Sequence, residues 1–521
     1  MKKKNIKSIL FLNTTGSEIE LINELAIDSK FEINLFMKDA SEHENINSNV
    51  AVLDIIGNSL FDIVFTLPQE LKEKETKQII ENSSLTFIIG DSPIAFSSIL
   101  GFIHDESLSN LLGVRIVKSL QSTSMLEFVC LPPTSRKALD QLSTWSQDLG
   151  LNISLLQYDI PGGGVERIRV PLESEIWKMV REGIITPSEL NSLSKENFNL
   201  DEGFLDSIRR SIPDKRSRVA KQLFITSMND GRFRPEYDQF PPDAGENWDK
   251  LTDKYKRIEK SSEIDKPEKI LVIGTPHIVD LWCEKIYKIT NASVMPKGIK
   301  LWDLGNFSES VQKEINENGP YDMILEVLIA PTEERQKLLE VLVGVAKENT
   351  QFWVHTLNTP ATVTVQVIPE QLCAIGFSGI PGFNESDFCE LSKPKNSNRT
   401  EFNKAVKAAQ SLGFEPVEVA DEPGAVTPRL LATLVNATSF LAREGIVTSE
   451  IEADRIAARA ISSERGPLVF ADVYGLDTIE AVLIGLYAFN GIDRYRVSPL
   501  ITMRIESGAL GNVTDKGYYR V

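Results

Sequence analysis

The 521-residue chain is poor in the residues that mark several functional classes. It has four cysteines (Cys130, Cys283, Cys373 and Cys389), and none forms a C-x-x-C pair. That spacing points away from a disulfide framework or a thiolate metal site and towards reduced thiols in the cytoplasm. No apolar run approaches the ~18 residues needed to span a bilayer. The opening M-K-K-K is followed only by Ile9-Leu10-Phe11-Leu12, too short for a signal-peptide core. Positive charge is also scarce: 56 Lys and Arg against 74 Asp and Glu leave a net charge of −18. Attraction to nucleic acid or to an anionic membrane is therefore not expected. Histidine is as rare as cysteine, with His43, His104, His277 and His355 as the complete set.

What is present is ordinary for a globular protein, with 42% hydrophobic and 25% charged residues. The length exceeds one hydrophobic core, so three or four domains are expected. The chain also repeats itself. V-R-E-G-I-I-T ending at Thr186 recurs as A-R-E-G-I-V-T ending at Thr448, 262 residues later. G-R-F-R ending at Arg234 meets D-R-Y-R ending at Arg496 at the same distance. A shared register over half the chain suggests two fused, similar multi-domain halves rather than a solenoid.

Each half opens with a buried-strand pattern, Ser8–Leu12 and Lys269–Ile273, followed by a helix-length segment. Further apolar runs follow at Phe61–Phe65, Leu85–Ile89, Tyr321–Leu325 and Gln351–Val354. Strands alternating with helices imply a parallel sheet covered on both faces. Later in each half, from about Pro428 in the second, helical periodicity replaces the strands. The expected fold class is α/β plus all-α, as two tandem copies of a doubly wound domain followed by a helical domain. The expected boundaries are 1–160, 161–235, a polar Pro-rich linker over 236–267, 268–422 and 423–521.

The last hundred residues carry a specific succession of motifs. D-E-P-G-A-V-T-P-R-L-L-A-T-L-V-N-A-T ends at Thr438 and L-A-R-E-G-I-V-T-S-E ends at Glu450. R-G-P-L-V-F-A-D-V-Y-G-L-D-T ends at Thr478, D-R-Y-R-V-S-P-L ends at Leu500, and S-G-A-L-G-N-V-T-D-K-G-Y-Y-R-V closes the chain. In this order they resemble the C-terminal domain of the 3-hydroxyacyl-CoA dehydrogenase family. The resemblance extends over about Lys269–Val521 and, more faintly, over the first half. It implies a Rossmann domain and a helical dimerisation domain per half, with NAD and an acyl-CoA between them. Fused copies would then pair within one chain as a pseudo-dimer.

The implied sites are altered. A dinucleotide turn needs glycines for its bend and for close approach of pyrophosphate. The second half offers Gly274-Thr275-Pro276-His277, where only the first glycine remains and Pro276 lacks an N–H. The first half offers Asn13-Thr14-Thr15-Gly16-Ser17-Glu18. By the resemblance, Asp303 is placed to bind the adenosine ribose, Glu326 matches the glutamate of the I-E-A-V segment, and Asn358 opens the altered N-T-S-S turn. Lys38 or Asp39, and Thr66, lie near the first-half equivalents. His277, at a helix start, could meet an anion.

In the family a histidine acts as base and a glutamate twelve residues later orients it. Here Ser378 stands at the histidine position with Glu390 twelve beyond, and in the first half Arg115 stands there with Glu127 twelve beyond. Both glutamates remain and both histidines are gone. The asparagine expected before R-L-L is Pro428, with Glu166 at the first-half position. A serine hydroxyl cannot act as a base near neutral pH and arginine stays protonated. The catalytic candidates left are Glu390 with a raised pKa, Ser378, and His355, three residues before Asn358. Arg115 and Glu127 are expected to form an ion pair. The basic cluster Arg209, Arg210, Lys215, Arg216, Arg218 and Lys221 reads as a solvated face, or as a partner for CoA phosphates. Three functions stay open: a pseudoenzyme binding an acyl-CoA or dinucleotide as sensor or partner subunit, an NAD(P)-dependent oxidoreductase with a non-standard base, and a ligand-free scaffold.

Overall fold

The computed structural model describes residues 7–12, 19–27, 32–36, 46–53, 60–67, 74–90, 96, 109–118, 124–131, 134–149, 153–160, 162–211, 258, 266–299, 309–381 and 386–519. Most of the linker expected over 236–267, the first-half glycine-poor turn at 13–18, Lys38, Asp39, His43, His104 and Asp303 lie outside them. So do Lys215, Arg216, Arg218 and Lys221 of the basic cluster.

The first sheet has eight strands: β1 (Ser8–Leu12), β2 (Glu32–Phe36), β3 (Val50–Leu53), β4 (Ile63–Thr66), β5 (Leu85–Ile89), β6 (Leu111–Lys118), β7 (Ser124–Cys130) and β8 (Ile153–Leu156). Their order is β3-β2-β1-β4-β5-β6-β7-β8. All neighbours run parallel except β6 and β7, which form an antiparallel pair. The central strands are apolar on both faces because helices cover both: α1 (Ile19–Ile27), α2 (Lys74–Asn82) and α3 (Arg136–Leu149). Aromatic side chains fill one side, with Phe11 stacked on Phe65 at 4.5 Å and Trp145 5.2 Å from Phe87. Helices α4 (Gly163–Arg181), α5 (Pro187–Asn197) and α6 (Phe204–Ser211) follow.

The second sheet holds β9 (Lys269–Gly274), β10 (Ser293–Gly298), β11 (Tyr321–Val327), β12 (Ala346–His355), β13 (Cys373–Ser378), β14 (Phe388–Ser392) and β15 (Glu415–Val419). Its order is β10-β9-β11-β12-β13-β14-β15, again with one antiparallel pair, β13 and β14. Around it lie α7 (Pro276–Ile289), α8 (Glu309–Asn318), α9 (Thr332–Val343), α10 (Ala361–Thr364) and α11 (Arg399–Leu412). Among the described residues no strand follows β15. The chain continues as α12 (Thr427–Arg443), α13 (Glu450–Ala460), α14 (Pro467–Tyr474), α15 (Leu476–Asn490) and α16 (Pro499–Glu506). The architecture is thus two Rossmann-like sheets with a helical part.

The repeated R-E-G segments have a common physical job. Gly183 and Gly445 both take a left-handed backbone, φ 65° and 69°, just past the ends of α4 and α12. Residues without a Cβ adopt this conformation readily, which ends a helix cleanly. Three or four residues on, Thr186 and Ser449 accept from Glu189 N and Glu452 N and so cap α5 and α13.

Two compact units emerge, and they do not follow the linear order of the chain. The first gathers Met1–Arg167 with Glu444–Ser462, and so takes in α13. Within it Gln157 N donates to Ile446 O at 2.8 Å and Arg459 reaches Ser154 Oγ at 3.2 Å. The second gathers Ile168–Asp214 with Asp230–Arg443 and Ser463–Val521, and so takes in most of α4 with α5 and α6. Within it Ala420 N donates to Ile184 O at 2.8 Å, and Asn197 donates to Thr427 Oγ1 at 3.0 Å. Each unit is therefore completed by helices from the other half of the sequence.

The centre of the second unit's helical part is α12, buried from Thr427 through Ser439. Its arginine, Arg429, is fully buried and ion-paired with Glu175 of α4. Arg494 approaches the same carboxylate at 2.7 Å, and Tyr495 donates to it at 2.7 Å. Two guanidinium groups and a hydroxyl hold the Glu175 carboxyl down at about 2 despite its burial. Breaking such a buried pair by removing one partner would leave an uncompensated charge.

Candidate functional site

Ser378 and Glu390 come together because β13 and β14 are antiparallel and place them directly opposite one another. Glu390 is 1% exposed. Its Oε2 accepts from Val426 N at 2.9 Å and its Oε1 from Thr427 N at 2.8 Å. These amides open α12, where the first turn has no carbonyl partners of its own and the helix dipole favours an anion. Burial pushes the Glu390 carboxyl above the usual carboxylate range, and the bonds from Thr427 and Val426 oppose that rise. Ser378 is completely buried, and its hydroxyl has no hydrogen-bond partner among the described residues. Nearby, Tyr474 donates to Gly379 O at 2.8 Å.

The first unit carries the same arrangement with different chemistry. Arg115 and Glu127 face each other across β6 and β7. Glu127 is fully buried, and a single oxygen, Oε1, accepts from both Gly164 N (3.0 Å) and Val165 N (2.9 Å) at the start of α4. Burial raises its carboxyl to about 7, against the pull of Arg115. The expected direct Arg115–Glu127 ion pair is not formed. Instead the guanidinium lies 3.7 Å from Asp159, donates to Ile160 O at 3.0 Å and rests on the Phe96 ring. The reason is local: both first-turn amides of α4 converge on Glu127, while Asp159 and Ile160 present their oxygens to the arginine. Glu166 sits half-buried in the first turn of the same helix, and Pro428 is buried in α12.

His355 ends β12 and is 2% exposed. Trp282 meets its ring edge-on at 6.1 Å and Phe377 lies at 5.0 Å. Neither ring nitrogen has a hydrogen-bond partner among the described residues. Burial, helped by Arg335, drives its pKa down to about 3, so the imidazole is neutral at physiological pH. It does not meet Glu390 in any bond described.

In open α/β sheets, ligands gather outside the carboxyl ends of the strands where the strand order reverses. In the second sheet that point lies between β9 and β11, and Gly274 stands there with φ 148°. A Cβ at Gly274 would come within 2.4 Å of the Val327 and Leu328 backbone, so the glycine serves strand packing. The next amide, Thr275 N, donates to Val327 O, and Thr275 Oγ1 accepts from Ile329 N at 2.8 Å. Pro276 begins α7 and offers no N–H. His277 Nε2 lies 3.1 Å from Thr478 Oγ1 and 3.7 Å from Asp477. Burial lowers its pKa, against the pull of Asp477 and Asp280.

Glu326 is fully buried and doubly bound by Arg335, at 3.1 Å and 2.6 Å, while also accepting from Leu328 N. Arg335 further donates to His355 O and approaches Asn358 Oδ1 at 3.5 Å. Asn358 in turn donates to Ala330 O. The sequence reasoning did not single out Arg335; a cation nine residues after Glu326, at the start of the next helix, was the available signal. It also passed over the Glu175–Arg429–Arg494–Tyr495 cluster, although the recurring D-R-Y-R contributes two of its members. Glu326 and Asn358 are thus engaged within the protein. Thr66, the first-sheet position closest to Glu326, is buried with its hydroxyl unpartnered among the described residues.

Each of the two Rossmann-like sheets thus carries a glutamate that holds the first turn of a helix. Residues 424–521 match the family model described as 3-hydroxyacyl-CoA dehydrogenase, C-terminal domain. A probable 3-hydroxybutyryl-CoA dehydrogenase of Deinococcus radiodurans is 28% identical over 204 residues, 38% of this chain and 71% of that protein. One from Bacillus subtilis is 23% identical over 210 residues, covering 40% and 73%. The crystal structure of 3-hydroxybutyryl-CoA dehydrogenase from Escherichia coli K12 superposes with a TM-score of 0.63 at 15% identity, over 97% of this chain and 99% of that one. Residues 424–521 thus carry a 3-hydroxyacyl-CoA dehydrogenase C-terminal domain, and the chain is similar to 3-hydroxybutyryl-CoA dehydrogenases. Among the described residues no helix is long and apolar enough to cross a membrane, and no cluster of His, Cys, Asp or Glu could hold a metal ion.

Proposed function

We propose that this protein is a 3-hydroxyacyl-CoA dehydrogenase-family member that has lost hydride-transfer chemistry and serves acyl-CoA metabolism as a ligand-binding sensor or partner subunit. One observation carries the reading. At the place of the family's base stands the buried hydroxyl of Ser378, and both oxygens of Glu390 hold the first turn of α12. Oxidation of a 3-hydroxyl needs a group that takes its proton, and absence of a general base costs roughly 10²–10⁴ in rate. His355, with a pKa near 3, is too weak a base at neutral pH. The raised carboxyl of Glu390 favours the competing reading of a rewired dehydrogenase, but using it as base would release two amides of α12.

The matching order of the two sheets supports an origin by tandem duplication and a pseudo-dimer within one chain. The domain boundaries proposed are 1–160, 161–235, 268–422 and 423–521. The intended ligand is an acyl-CoA, and the protein is placed in the cytoplasm. Calorimetric titration of the whole protein with acetoacetyl-CoA and, separately, NADH tests the reading, together with a turnover assay. Saturable binding of the thioester without oxidation of NADH is expected. Turnover abolished by Glu390→Gln would overturn the reading, and silence towards both ligands would favour a scaffold.

A further inference from the structure

Building on this non-redox reading, we infer that the crevice at the switch point of the second sheet is a closed internal joint, plugged by Arg335 and roofed by α15, and not a dinucleotide site. Three observations converge on it. First, the polar groups at the carboxyl ends of β9, β11 and β12 satisfy one another. Arg335 is completely buried and binds Glu326, His355 O and Asn358, so the guanidinium fills the space between the ends of β11 and β12.

Second, the first two positions of the turn that should receive a pyrophosphate offer no free N–H. Thr275 N is bonded to Val327 O, Pro276 has no N–H, and His277 turns to Thr478 at the start of α15. Third, α15 lies directly against both sides of the crevice through two glycines. A Cβ on Gly475 would stand 2.9 Å from His277 Nε2, and one on Gly485 would stand 2.3 Å from Asn358 O and 2.7 Å from its Cα. Real Cβ atoms do not approach backbone that closely, so the helix is seated with no room for a flat ring system beneath Gly485. Residues that the fold would ordinarily assign to a cofactor here fasten α9 and α15 to the sheet.

Amide hydrogen exchange on the full chain, with and without millimolar NADH, tests the joint. Residues 274–280 and 326–335 are expected to be well protected without nucleotide and unchanged by it. NADH-dependent protection of those segments would overturn the inference. Gly485→Ala provides a second arm: melting several degrees lower supports a closed joint, whereas an unchanged melting temperature means an open crevice and refutes it. Where that variant fails to fold, the exchange experiment on the wild type still decides. The two readings fail separately. Turnover of acetoacetyl-CoA without protection here would sink the non-redox function alone, and protection here without turnover would sink the joint alone.

Discussion

Glu127 and Glu390 occupy the same place in their respective sheets, on the second strand of the antiparallel pair, and each seizes the first-turn amides of the long helix that follows. They differ in how they do so. Glu390 uses one oxygen per amide and faces a neutral serine, whereas Glu127 loads both amides on one oxygen and shares its surroundings with Arg115. The difference teaches that the helix anchor and the group facing it are separable. The anchor is a requirement of the fold, because two buried N–H groups at a helix start need an acceptor. The facing residue is serine in one sheet and arginine in the other, and the anchor forms with either.

Glu390→Ala should break this comparison most severely. It strands two buried amides and leaves a cavity, for a loss of about 4 kcal/mol. Urea denaturation, together with faster amide exchange at Val426 and Thr427, is the check. Arg115→Met comes next, at about 3 kcal/mol, since Asp159 and Glu127 lose their buried cation. The equivalent change opposite Glu390 has no such effect: Ser378→Ala removes a buried hydroxyl that makes no bond and should shift stability by less than about 1 kcal/mol in either direction.

Between those extremes lies a pH effect from the first unit's Glu127. Glu127 holds its proton more tightly folded, near 7, than at its ordinary 4.5. Its contribution is therefore complete below the lower value and is lost as pH rises through the upper one. Raising the pH from about 5 to about 7 should cost on the order of 2 kcal/mol, and Glu127→Gln should flatten that slope in melts across the range. The smallest effect expected is on activity. Ser378→His restores the imidazole, yet acetoacetyl-CoA reduction should stay at background because the crevice beyond it is closed; turnover would show that the crevice admits a cofactor.

Much of the framework was readable before any coordinates. The uninterrupted apolar runs at Ser8–Leu12 and Lys269–Ile273 became β1 and β9, strands with a neighbour on either side, because strands covered on both faces lack alternation. The change to helix near Pro428 fell at the start of α12, and the repeated R-E-G mapped onto two left-handed helix ends. The partners of charged groups were not readable. Arg115 was expected on Glu127 and went to Asp159 and Ile160, and Arg335 attracted no notice although it controls Glu326.

The sequence by itself determined the succession of strands and helices, the resemblance of its last hundred residues to a dehydrogenase domain, and the presence of Ser378 and Arg115 opposite the two glutamates, because these depend on local periodicity and on which residue types are present. Only the tertiary structure decided that Glu390 and Glu127 hold helices, that Arg335 fills the crevice, and that α13 completes the first unit while α4–α6 complete the second. Those outcomes depend on which buried donors and acceptors meet across hundreds of residues, and chain periodicity carries no information about that.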